Sequence, residues 1–169
     1  MSMIFQLRMI YGGDEDFLRD YELPYDCSLL DFHRFICGDL GYDPMNMSSF
    51  FRSNERWEQE QEFTLMDMGG DIEGAPIAME KVALGQILHQ NRDRLIYVFD
   101  QLSGRAMFLE LMGTVKSVPG VAYPQVSQSE GVPPPDLLEL EDDPDGSLFD
   151  EVMDDFLDFE GDELYDDEF

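Results

Sequence analysis

The chain has 169 residues, 43% hydrophobic and 12% aromatic, which is enough apolar side chain to offset the entropy of ordering a domain and excludes a wholly disordered protein. Its 38 Asp and Glu against 10 Lys and Arg leave a formal charge of -28, which repels nucleic-acid phosphates and anionic membranes and favours encounter with basic partners. The only cysteines, Cys27 and Cys37, have the spacing of neither a redox pair nor a paired zinc-ligand set.

Residues 4–11, IFQLRMIY, alternate in strand fashion and stop at Gly12-Gly13. DYELPYD at 20–26 then predicts an antiparallel partner, with Pro24 marking its end or its edge. Ser28 stands three residues before Asp31, a capping-box-like start for a helix whose Leu29, Phe32, Phe35, Ile36 and Leu40 share one face. Gly41 supplies the stop. Beyond Pro44, MSSFFRS and EFTLMD are expected as short strands, and MEKVALGQILHQ at 79–90 as a second helix through Val82, Leu84, Ile87 and Leu88. RLIYVFD and AMFLELMGTV form a predicted strand pair around Leu102, Ser103 and Gly104.

From Ser117 the prolines and glycines predict an irregular spacer. The expected organisation is one compact domain over 1–135 and an acidic tail over 136–169. That tail holds 17 of the 38 acids and no Lys or Arg. The fold class expected is α+β: a small, mostly antiparallel sheet of a hairpin and further strands, packed with helices, followed by the tail with an amphipathic helix over 148–159. The N-terminal residues lack the basic start and long apolar core of a signal peptide, and no run reaches membrane-spanning length, so the expected compartment is the cytoplasm.

SLLDFHRFICGDLGYDPMNMSSFF at 28–51, LGQILHQNRDRLIYVFDQLSGRAMFLELM at 84–112 and YPQVSQSEGVPPPD at 123–136 together resemble the family named for the third open reading frame of the agrobacterial Ri plasmid, also labelled transposon-passenger TnpR-like. The resemblance spans about the first 135 residues and implies an α+β fold without an established activity. Where many members carry Asp-Gly-Trp in the hairpin, this chain has Gln101 to Gly104; where they carry cysteines before the Pro-Pro segment, it has Val126 and Val132. A site-specific resolvase role is disfavoured, because a serine recombinase needs several arginines around its nucleophile and a basic DNA-binding region. The arginines here are scattered singly along the chain.

His33, on the first predicted helix, is a possible cleft residue facing the sheet; the plainer alternative is a histidine bonded to nearby backbone. Cys37, at i+4 from His33, is either its chemical partner or a small apolar residue. Glu141 to Ser147 has the front of an EF-hand loop, but the twelfth place is Val152 where a bidentate acid is needed. In the tail, Ser147 is positioned to cap a helix in which Leu148, Phe149, Val152, Met153, Phe156 and Leu157 follow a helical period. Asp150, Glu151, Asp154, Asp155 and Asp158 take the other side. Such a stripe either docks in a basic-rimmed apolar groove of a partner or folds back on its own domain.

The function expected from these residues is a non-catalytic accessory or adaptor protein, with no metal or cofactor, that binds a basic protein partner through its acidic tail and does not bind nucleic acid or membrane directly. The alternative is a metal-dependent or other hydrolase drawing on Glu60, Glu62, Asp67 and Asp71 with His33 or His89.

Overall fold

The computed structural model describes residues 3–12, 14–67 and 74–136. Met1–Asp136 is one compact unit; the second, Leu137–Phe169, carries the tail stripe Leu148 to Leu157 and lies outside the described residues. So do Asp71 and the EF-hand-like residues Glu141 to Ser147.

Eight strands form one sheet: β1 (Met3–Tyr11), β2 (Asp14–Pro24), β3 (Ser49–Ser53), β4 (Gln59–Thr64), β5 (Ile77–Ala78), β6 (Arg94–Asp100), β7 (Arg105–Lys116) and β8 (Gln125–Glu130), in the spatial order β5-β4-β3-β6-β7-β1-β2-β8. Every pairing is antiparallel except β4 with β5. Helix α1 (Leu29–Leu40) packs on one face, and a one-turn helix α2 (Leu84–Ile87) follows a 3-10 turn at Met79–Lys81.

Helix α1 starts and stops where local chemistry dictates. Ser28 is extended and its Oγ accepts the Asp31 amide at 3.0 Å, while Gly41 leaves the helix at φ 78° in the left-handed region. Leu29, Phe32 and Ile36 are fully buried on the sheet, and each such burial contributes about 1.5–3 kcal/mol. Phe32 stacks on Phe50 of β3 with ring centroids 5.4 Å apart. Tyr21 of β2 meets Phe32 and Phe35 edge-on, at 6.0 and 5.4 Å.

The expected small sheet packed with helices is corrected: the fold is dominated by the eight-stranded mixed sheet, and α1 is the one α-helix longer than a single turn among the described residues. Three departures produce this difference. The second expected helix, at 79–90, does not form as one element, because its backbone bonds elsewhere. The Val82 carbonyl accepts Leu29 N–H at 2.8 Å, Leu84 N–H donates to Cys27 O at 2.9 Å, and Gly85 N–H donates to Tyr25 O at 2.7 Å. Gly85 must be small there: a Cβ would lie 3.0 Å from the Tyr25 carbonyl oxygen. Val82, Leu84, Ile87 and Leu88 are nevertheless buried, as their spacing requires.

Second, β2 begins at Asp14 rather than at residue 20, since Phe17, Arg19, Tyr21 and Leu23 all alternate into the core. Third, the stretch read as an irregular spacer contains edge strand β8, which pairs with β2. Its prolines flank the strand instead of interrupting it. Buried Arg19 fastens that edge: its Nη1 donates to the Glu130 carbonyl at 2.9 Å and its Nε pairs with Asp39 of α1 at 3.1 Å.

Candidate functional site

One turn apart on α1, His33 and Cys37 both point at the sheet, where they meet Tyr97 of β6 and Ser48 at the entrance to β3. His33 Nε2 lies 2.9 Å from the Pro44 carbonyl oxygen, which can only accept, so Nε2 carries the proton. Nδ1 is then the acceptor, and Tyr97 donates to it at 2.7 Å, with Ser48 Oγ at 3.3 Å. Because the Tyr97 proton is committed to His33, the Cys37 thiol, 3.7 Å from the Tyr97 oxygen, is placed to donate to that oxygen. A relay therefore runs from Cys37 through Tyr97 and His33 to the Pro44 carbonyl.

Every group in the relay is held neutral. Burial lowers the His33 pKa, against the opposing bond to Pro44, and the nearby Arg34 lowers it further. Burial pushes the Cys37 thiol and the Tyr97 phenol up. A protonated thiol beside a neutral imidazole is not the thiolate–imidazolium pair of a cysteine nucleophile. The second cysteine, Cys27, is pushed up to about 12, chiefly by burial.

A strap from the C-terminal end of the described chain closes this cluster. Tyr42 donates to the Pro134 carbonyl at 2.5 Å, and the Asp136 carboxylate accepts from the Asp43 amide at 3.0 Å and from Asn46 Nδ2 at 2.9 Å. The space between the strap and His33, Cys37, Ser48 and Tyr97 has 0 Å³ available to a water-sized molecule. His33 thus sits in a filled, fully bonded interior and not in a cleft. The pairing with Cys37 was legible from the i, i+4 spacing, whereas Tyr97 and Ser48 were not, since only sheet pairing brings them to the helix.

The other acidic and histidine candidates are dispersed. Glu60 accepts from Asn54 Nδ2 at 3.4 Å, Glu62 accepts from Ser49 Oγ at 2.9 Å, and Asp67 pairs with Lys81 at 2.7 Å. His89 is exposed, and its backbone amide donates to Asp93. Among the described residues no three His, Cys, Asp or Glu side chains gather in a way that could hold a metal ion. No helix among them is long and apolar enough to cross a membrane.

At the far ends of β3 and β6 the structure assembles what the sequence shows only as single arginines. Arg52, Arg56, Arg92 and Arg94 line an open groove of about 1060 Å³ between the β3–β4 turn and the turn that leads into β6.

Among solved structures, the chain is similar to the crystal structure of a protein of unknown function, MM3350 from Methanosarcina mazei Go1, at TM-score 0.63 and 16% identity, over 76% of this chain and 70% of that one. At that identity the likeness shows a shared fold. No curated protein matches the chain. The model of the plasmid pRiA4b ORF-3-like protein family matches residues 4–143, and the chain belongs to that family.

Proposed function

We propose that the protein is a non-catalytic accessory or adaptor that engages a basic protein partner through its acidic C-terminal stretch. The observation that carries this reading is the charge distribution: residues 136–169 hold 17 acids and no Lys or Arg, interleaved with the helically spaced Leu148, Phe149, Val152, Met153, Phe156 and Leu157. The carboxylates attract a basic rim, and the Phe and Leu side chains supply apolar anchors. The state of the His33–Tyr97–Cys37 relay is consistent with a binding role, because its groups are neutral, bonded to one another and closed over.

Pull-down of basic partners by the full chain and by a chain ending at Asp136, at low salt and at about 0.5 M salt, tests this. The full chain is expected to retain a partner that the shortened chain loses, with release by salt. A Phe149→Ala/Phe156→Ala variant, which keeps every charge, is expected to lose that partner as well. Capture that survives both the shortening and the salt would overturn the proposal.

A further inference from the structure

We propose that the arginine-lined groove is a binding site for a small phosphate-bearing anion. It is independent of the C-terminal reading above, since every residue the site is built from lies between Arg52 and Leu111.

The first observation is concentration of charge. The chain has 10 Lys and Arg in all, and four of them, every one an arginine, border this groove. The antiparallel register of β3 and β6 does this, placing Ser53 opposite Arg94 and Arg52 opposite Leu95, so that the turn leaving β3 and the turn entering β6 lie side by side.

The second observation is that the four arginines divide into two holders and two free groups. Arg94 is fixed: its Nη1 donates to the Glu55 carbonyl at 2.5 Å, its guanidinium carbon lies 4.5 Å from the centre of the Trp57 ring, and its Nη2 is 3.8 Å from Glu110. Its Nε is buried without a hydrogen-bond partner. Arg92 shares Glu110 at 3.4 Å but leaves 81% of its side chain exposed. Among the described residues, Arg52 and Arg56 have no carboxylate within ion-pairing distance and no side-chain hydrogen bond.

The groove also contains Glu55, Glu58, Glu60 and Asp93, so its formal charge is balanced in a chain of -28. Three of these acids are already engaged by the turns. Glu58 and Glu60 accept from Asn54 Nδ2 at 2.7 and 3.4 Å, and Asp93 accepts the His89 and Gln90 amides at 2.8 and 3.2 Å. What remains open among the described residues is the Arg52 and Arg56 guanidinium forks and one carboxylate, Glu55.

The third observation is backbone geometry. Among the described residues the two non-glycine positions with positive φ are Trp57 at 60° and Arg92 at 78°, one in each of the two turns that border the groove. Side chains rarely adopt that region, and such positions cluster at binding and catalytic sites, where surrounding contacts hold them. Here the holding contacts are visible. Asn54 Oδ1 accepts the amides of Arg56 and Glu58 at 2.9 and 3.2 Å, Trp57 packs edge-on against Phe108 at 5.1 Å, and the Arg92 amide donates to the Leu111 carbonyl at 2.7 Å.

An open, polar site with unpaired guanidinium forks suits a compact, strongly solvated oxyanion better than an apolar ligand, and the fork matches a phosphate through two parallel N–H to oxygen bonds. A long nucleic acid would meet the acidity of the whole chain, whereas a small phosphate compound meets chiefly the charges within a screening length of about 10 Å.

Titration of the full chain with inorganic pyrophosphate at about 0.1 M ionic strength, where the screening length is about 10 Å, read by calorimetry and by phosphorus NMR, tests the site. Saturable binding is expected, weakened at least about tenfold by Arg56→Gln and further by Arg52→Gln/Arg56→Gln, as loss of charge-assisted bonds requires. Arg34→Gln removes the same charge from an exposed side chain of α1 and is expected to leave the affinity unchanged. Circular dichroism checks the fold of each variant, and Arg92→Gln, at a largely exposed side chain, stands in should Arg56→Gln fail to fold. Absence of saturable binding, or equal affinity in the Arg56→Gln and Arg34→Gln chains, would overturn the proposal.

Discussion

The two ends of the β3–β6 strand pair have opposite characters. Near Tyr97 and Ser48, the side chains of His33, Cys37, Tyr97 and Ser48 bond to one another or to the Pro44 carbonyl, burial holds the imidazole, thiol and phenol neutral, and no space for a water-sized molecule remains under the strap. Three residues earlier on β6, Arg94 borders an open, charged groove in which Arg52 and Arg56 have no ion-pair or side-chain hydrogen-bond partner among the described residues. The contrast follows from what covers each end. Helix α1 and the Pro134–Asp136 strap lie over the first, so an unpaired group there would carry its full desolvation cost. Two turns border the second, and water satisfies what the protein leaves open.

That contrast can be broken most severely at Tyr97. Tyr97→Ala removes a ring that is 1% exposed and packs 4.7 Å from Phe50, and is expected to cost about 3–5 kcal/mol in urea unfolding. Tyr97→Phe keeps the packing but leaves His33 Nδ1 without its principal donor, and is expected to cost about 1–3 kcal/mol. A Tyr97→Phe chain as stable as the parent would mean that the relay contributes nothing.

The strap is the next point to probe. Asp136→Ala deletes the acceptor for the Asp43 amide and Asn46, with an expected loss of about 1 kcal/mol per bond at most. Its clearer readout is chemical. Cys37 is 3% exposed under the strap, and its reaction with a thiol reagent is expected to accelerate several-fold in the variant, whereas labelling of Cys27, outside this cluster, stays unchanged. Equal acceleration at both cysteines would indicate general loosening rather than an opened strap.

The smallest effect is a slope with pH. His33 has a folded pKa below its ordinary 6.5, so the unfolded chain binds more protons as the pH falls through that value, and stability must fall with it. The contribution is fully present above 6.5 and is lost on acidification toward the folded pKa, at no more than about 1.4 kcal/mol per pH unit for one group. Comparing the parent with His33→Gln between neutral and mildly acidic pH isolates it, and identical slopes would remove His33 from the account. At lower pH the buried Asp100 adds a second loss. Burial opposes its charge, but bonds from Ser103 and Arg105 outweigh that and hold its carboxyl below 3.8, so their stabilisation is present above 3.8 and disappears on acidification below it.

How far the residues foretold this structure depended on the range of the interaction concerned. Ser28, Asp31 and Gly41 set the limits of α1 through bonds spanning three or four residues, and the strand periods of β1 and β7 reveal which side chains face inward. The segment 79–90 misleads because its apolar spacing fits a helix while the Val82 carbonyl and the Leu84 and Gly85 amides are taken by residues 25–29. β8 is hidden among prolines and glycines, and its pairing with β2 is secured by Arg19, which is 111 residues from its acceptor Glu130. The candidate sites divide in the same way. The His33–Cys37 pair is written in helical spacing, but its neutrality depends on Tyr97 and the strap.

What the amino-acid sequence determined by itself was the acidity, its concentration after residue 136, the capped first helix and the alternation of the long strands. Each of these is a property of composition or of neighbours along the chain. Tertiary structure alone decided that eight strands of the described residues form one sheet, that the histidine is closed in, and that single arginines become a group. Strand register and burial decide which distant side chains share water or exclude it, and that sharing sets both their charge and the partners left for a ligand.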